Sequence, residues 1–188
     1  MPWQDIPLHE PLARRLSQVL GLKDIPRTFG GLSSWGDGSC GTVTPADLLS
    51  PSPTNHRVYF DDEMLYTHCV MDALILPSLR DRPAEVVSRD PESRQEVRLR
   101  ISREGLEPSD GAPVQAVVSL GVLADETRPL HEAFCPFVNL FVSRASYDRW
   151  ARSQTQAITV PIPLDAAVAL ARSWGVGMAA GSARGACC

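Results

Sequence analysis

The segment Ala84 to Ile101 constrains the fold more than any other part of this chain. Val97, Leu99 and Ile101 alternate with Arg98 and Arg100. That two-residue period puts one face of a strand in a core and the other in water. Residues 84–89 read as its partner, and Asp90-Pro-Glu-Ser-Arg94 supplies the turn. A hairpin of this kind demands an antiparallel sheet. Further strands are expected at Arg57–Phe60, turning at Asp61-Asp62, at Val114–Leu120 and at Phe137–Val142. Helices are expected at Pro11–Leu20, where Leu12, Leu16, Val19 and Leu20 share a face. Others are expected at Glu63–Leu76, closed by Pro77, from a Ser146 cap to Trp150, and at Asp165–Trp174. Strands joined by short turns, with helices set apart from them, define an α+β fold with an antiparallel sheet and flanking helices.

The organisation is expected in three parts. Residues 1–55 form a short helical and irregular N-terminal region, with Thr44 capping a helix that has Pro45 at its first position. Residues 56–175 hold the core, and residues 176–188 form a flexible tail ending in Cys187-Cys188. A net charge of −4 gives no support for nucleic-acid binding. Met1 to Asp5 shows no basic, apolar signal pattern, and no apolar run is long enough for a membrane span. A cytoplasmic location is therefore expected. Thiols stay reduced there, so the five cysteines read as ligands, nucleophiles or core residues rather than a disulfide framework.

Two of those cysteines stand in apolar surroundings that also hold an acid. Cys69 and Asp72 lie in Tyr66-Thr-His-Cys-Val-Met-Asp-Ala-Leu-Ile-Leu-Pro77, at i and i+3 of the expected helix. Cys135 lies in Phe134-Cys-Pro-Phe-Val138, where Pro136 fixes the chain just after the thiol. A carboxyl drawn among leucines is costly when charged and is pushed towards its protonated form. Two thiols and a protonated carboxyl together can grip a soft metal and deliver a proton. The plainer alternative is that both cysteines are small core residues. A third arrangement adds His68 and His131 to the two thiols as a tetrahedral zinc set, although His68 and Cys69 are adjacent and diverge on a helix. Cys40 has no assignable partner. There is no P-loop, dinucleotide fingerprint, H-E-x-x-H or G-x-S-x-G motif.

The pattern Tyr66-x-His-Cys-x-x-Asp-x-Leu-Ile-x-Pro77, with Phe134-Cys135 before an aromatic-rich strand, resembles the alkylmercury lyases (organomercurial lyases, MerB). Ala116-Val-Val-Ser-Leu120 and the Ser143–Trp150 segment are also similar to that family, and the likeness covers roughly residues 57–152. It implies a mixed core with antiparallel strands, preceded by a helical N-terminal region. It implies Cys69, Cys135 and Asp72 as the catalytic set. This chain departs from the pattern at His68, where members carry tryptophan, and at Pro136, where some carry a second cysteine.

The resemblance implies protonolysis of R–Hg⁺ to R–H and Hg(II), with no organic cofactor. One thiolate attacks mercury, the second raises its coordination, and Asp72 protonates the carbon. Hg(II) would then pass to cellular thiols, to a mercuric reductase, or through Cys187 and Cys188. The alternative is a protein of the same fold that binds or carries mercury, copper or zinc through these thiols without cleaving anything. A thiol redox enzyme is a third reading, and no C-x-x-C supports it.

Overall fold

The computed structural model describes residues 2–36, 44–107, 115–124, 128 and 130–183. Eight strands and five α-helices are found among the described residues, in the order α1 (Glu10–Leu20), β1 (His56–Tyr59), β2 (Met64–Tyr66), α2 (Val70–Arg80), β3 (Ala84–Arg89), β4 (Glu96–Ser102), β5 (Gly105–Leu106), β6 (Val117–Leu123), α3 (Leu130–Ala133), β7 (Leu140–Phe141), α4 (Arg144–Ala151), β8 (Ala157–Pro163) and α5 (Leu164–Ala183). Two antiparallel sheets result, ordered β2-β1-β3-β4-β5 and β7-β6-β8. The fold is α+β.

The hairpin forms where its alternation places it. Val86 pairs with Leu99 and Ser88 with Val97 across β3 and β4. Val97, Leu99 and Ile101 are buried, while Glu96, Arg98 and Arg100 are exposed. On the outer face Arg98 meets Glu85 at 3.2 Å and Glu96 at 2.9 Å, and Arg57 also pairs with Glu96. Such exposed pairs contribute little, about 0–1 kcal/mol each, so the inner face decides the register.

α2 occupies the centre of the molecule. It packs against α5 on one side and against β1, β3 and β4 on the other. Every residue from Val70 to Pro77 is buried, so the helix shows no polar stripe in its first two turns. Pro77 lies inside this helix and does not end it; the helix closes at Asp81, in the left-handed conformation at φ 52°. The ring removes one internal hydrogen bond, and burial between α5 and the sheet holds the helix together across it.

The stretch expected as one helix from Glu63 divides at Cys69. Residues 64–66 instead form an edge strand, in which Val58 pairs with Leu65 and Tyr59 with Met64. Pairing with β1 overrides a helical spacing that these few residues carry only weakly. The strand expected over Phe137–Val142 shrinks to Leu140–Phe141, because Cys135–Phe137 form a 3-10 turn. Ser143, not Ser146, caps α4, its hydroxyl accepting the Ser146 N–H at 3.2 Å. β8 was not expected; Pro161 and Pro163 hide it in the sequence, and both are accommodated in a strand that pairs along one edge only.

α5 continues to Ala183, well beyond Trp174, so residues 176–183 are helical rather than the flexible tail expected. Its small residues reflect close packing. A Cβ on Gly175 would stand 2.9 Å from both the Ile75 carbonyl oxygen and Ser78 Cβ of α2. Cys187 and Cys188 lie outside the described residues, as does Cys40. The N-terminal region shares its core with the rest. Leu8, Leu12, Leu16 and Leu20 belong to the same buried cluster as Leu74, Leu120 and Trp174. Trp174 also donates its indole N–H to the Leu32 carbonyl at 2.6 Å.

Candidate active site

β1 and β2 deliver the chain to the start of α2 in extended form. Thr67, fully buried, donates its N–H to the His56 carbonyl at 3.2 Å and its hydroxyl to the Cys69 carbonyl at 2.9 Å. Cys69 is thereby fixed as the N-cap residue, in extended conformation at φ −144° and ψ 174°. Asp72 stands three positions on, in the first helical turn, and its Oδ2 accepts the Cys69 N–H at 3.1 Å. The Cys-x-x-Asp spacing is therefore an N-terminal capping arrangement rather than two residues on a mid-helix face. The carboxyl does the work of a capping acid while its other contacts face inward.

Cys135 arrives from the second sheet. It opens the 3-10 turn with Pro136 directly behind it, and the turn is bonded back onto β6. Ser119 of β6 donates its hydroxyl to the Phe137 carbonyl at 2.8 Å, and its oxygen accepts the Asn139 N–H at 2.9 Å. Val70 N–H of α2 donates to the Val138 carbonyl at 3.3 Å, which joins the two halves of the site through backbone. A serine in the run Val117-Val-Ser-Leu-Gly-Val122 is the visible sequence signal for this anchor, yet its role cannot be read from the strand alone.

The result is one compact cluster. Ligand atoms of Cys69, Asp72 and Cys135 all lie within 4.8 Å of one another. Cys135 Sγ is 3.7 Å from Asp72 Oδ2, the same oxygen that caps Cys69. His68 is not in this cluster, which speaks against the alternative arrangement of two histidines and two thiols around zinc. The side chain of His131 lies outside what the structure describes.

Burial governs the protonation of all three groups. It drives Asp72 up to about 7, against the bonds from both cysteines that favour its charged form. Burial, the bond to Cys135 and the charge of Asp72 push the Cys69 thiol well above its ordinary value. For Cys135, the bond from Cys69 favours the thiolate, but burial and the neighbouring carboxylate outweigh it and the thiol is also raised. Burial thus favours the protonated form of all three groups.

Access is one-sided. A groove of about 570 Å³ is lined by Cys135, Pro136, His68, Asn139 and Trp150, together with Pro53, Thr54, Asn55, His56 and Pro91. Cys69 and Asp72 do not line it. Cys69 is wholly buried behind Cys135, which retains 7% exposure.

A buried cluster of two thiols and a carboxyl, between the start of α2 and the turn before β7, has the donor chemistry that could hold a soft, thiophilic metal. The family model described as alkylmercury lyase (MerB) matches residues 49–175. The chain belongs to the alkylmercury lyase family. It is 32% identical over 114 residues to an alkylmercury lyase from Streptomyces lividans, and 28% identical over 114 residues to one from Pseudomonas putida. Each alignment covers 61% of this chain and 52% of the relative, so the chain spans about half the length of these relatives. The fold is similar to that of a solved structure described as the mercury-bound form of MerB2, with a TM-score of 0.57 and 14% identity over 69% of this chain and 62% of that one.

Proposed function

We propose that the protein is an organomercurial lyase, cleaving the carbon–mercury bond of R–Hg–X to give R–H and protein-bound Hg(II). The observation that carries this reading is the shared carboxylate. One Asp72 oxygen stands within reach of both the Cys69 cap and the Cys135 thiol, in a buried setting that raises the acid's pKa to about 7.

The sequence of events follows from access. R–Hg–X enters the groove and meets Cys135 first; a Hg–S bond forms, X leaves, and the thiol proton goes with it. Cys69 then adds as the second sulfur, and its proton passes to Asp72. The bound mercury shifts electron density onto carbon as its coordination rises. Asp72 protonates that carbon, the Hg–C bond breaks, and R–H departs. Its carboxylate is left beside Hg(II) held by two thiolates. No net charge is created, no electron is transferred to a carrier, and no organic cofactor is needed. Metal binding offsets the high thiol pKa values, because mercury replaces the protons that burial retains. Hg(II) would leave by exchange onto outside thiols, onto a mercuric reductase, or onto Cys187 and Cys188.

Single-turnover incubation with phenylmercury in excess thiol tests the reading. One equivalent of benzene per chain supports it. Tight mercury uptake with no benzene would make the protein a metal-binding relative and sink the lyase assignment.

A further inference from the structure

Asp90 is buried, with no exposed surface, yet it lies outside the cluster that binds mercury in the proposed reaction. Its carboxylate takes four hydrogen bonds. Oδ1 accepts from the N–H groups of Glu92 at 2.8 Å and Ser93 at 3.0 Å, within the β3–β4 turn. Oδ2 accepts from the Val142 N–H at 3.0 Å and the Ser146 hydroxyl at 2.8 Å, at the junction of β7 and α4. Burial alone would push this acid up, but the four donors outweigh it and hold the carboxyl below its ordinary value. A single charged group thus joins two segments more than fifty residues apart in sequence.

Both segments contribute lining residues to the groove. Pro91, next to Asp90, lines it from the turn, and Trp150 lines it from α4. An Arg149–Glu92 ion pair at 3.2 Å joins the same two segments on the exposed side. A third lining segment is tied to the same strand, since Arg89 N–H donates to the Asn55 carbonyl at 3.0 Å and His56 Nδ1 bonds Ser88 Oγ at 2.8 Å. An ionised acceptor with four donors is a stiff joint, because losing any donor's partner leaves a buried polar group unsatisfied.

We propose that Asp90 is a specificity-determining positioning residue: its carboxylate fixes the Pro91 turn against the Trp150 helix, and so sets the shape of the groove and limits which organic groups reach Cys135. The proposal takes its substrate from the lyase reading, but its test does not depend on that reading.

The test compares alkylation of Cys135 by N-methylmaleimide and by a pyrene maleimide, followed on the Cys135 peptide by mass spectrometry and normalised to a free thiol. The parent, Ser146→Ala and Asp90→Asn proteins are used whole. Ser146→Ala removes one donor and little volume. Asp90→Asn keeps the shape but turns an amide donor towards existing donors. The parent should discriminate strongly against the bulky reagent, and both variants should discriminate several-fold less. Should Asp90→Asn fail to fold, Ser146→Ala decides the matter alone. A merely structural role would lower thermal stability and leave the size ratio of the folded protein unmoved. Discrimination equal to or greater than that of the parent in the folded variants overturns the proposal. Benzene release from phenylmercury by the parent is scored separately, so a failed lyase reading and a failed clamp are told apart.

Discussion

The Oδ2 atom of Asp72 lies 3.7 Å from Cys135 Sγ while it accepts the backbone N–H of Cys69 at 3.1 Å. One oxygen therefore links a helix cap on the first sheet's side of the molecule to a thiol carried by the second. The carboxyl that reaches the Cys135 thiol is held beside Cys69 by the ordinary chemistry of a helix start, which favours an acid in its first turn.

The two thiols should differ in order of use. Cys135 faces the groove and Cys69 lies behind it, so Cys135→Ser should abolish capture of a mercurial at the site. Cys69→Ser should still capture one equivalent at Cys135 but release no hydrocarbon. Titration with phenylmercury, read peptide by peptide alongside benzene release, checks both statements. Equal capture by the two variants would remove the order of attack.

Stability against pH should show two opposing contributions. Asp72, raised to about 7, contributes stability that is full below its unfolded pKa and is lost as pH rises through about 7. His56, lowered by burial to about 4, contributes stability that is present above its unfolded pKa and is lost as pH falls towards about 4. Each has a limiting slope of about 1.4 kcal/mol per pH unit, with opposite sign, so they largely cancel between roughly pH 4 and 6.5. Asp72→Asn removes one side of the balance. Urea unfolding across that window should show the variant losing stability on acidification more steeply than the parent.

Two glycines offer matched steric tests. A Cβ on Gly121 of β6 would stand 2.7 Å from Thr159 Cγ2, 2.8 Å from Phe137 Cβ and 3.0 Å from the Phe137 carbonyl oxygen. Gly175 faces a similar conflict with α2, at 2.9 Å, without touching the Cys135 turn. Either change to alanine should cost about 1–3 kcal/mol in denaturant unfolding. Gly121→Ala should also slow cleavage per folded molecule, because the displaced turn begins at Cys135. Gly175→Ala should leave that rate near the parent value.

Periodicity made the most regular elements legible. α1 and β4 stand where helical spacing and alternation put them, since each buries one face and exposes the other. Cys69, Asp72 and Cys135 could be singled out by residue type and resemblance. Their relation could not, because capping at Cys69 depends on β2 forming, and β2 forms only through pairing with β1. Asp90 read as a turn residue, which it is, but two of its four bonds reach donors that lie near it only in the folded chain. Ser119 hid for the same reason: its strand reads as apolar, while its hydroxyl serves a turn that begins sixteen residues on, at Cys135.

The measurement that bears most directly on the central claim is single-turnover benzene release from phenylmercury, in excess thiol, by the parent and by Asp72→Asn. The asparagine can still accept the Cys69 N–H, and Cys135 still faces the groove, so capture of the mercurial at Cys135 should be as before. It holds no acidic proton, and the release rate should fall by about 10²–10⁴-fold. Release by the variant at the parent's rate, with the mercurial equally captured, would contradict Asp72 as the proton donor.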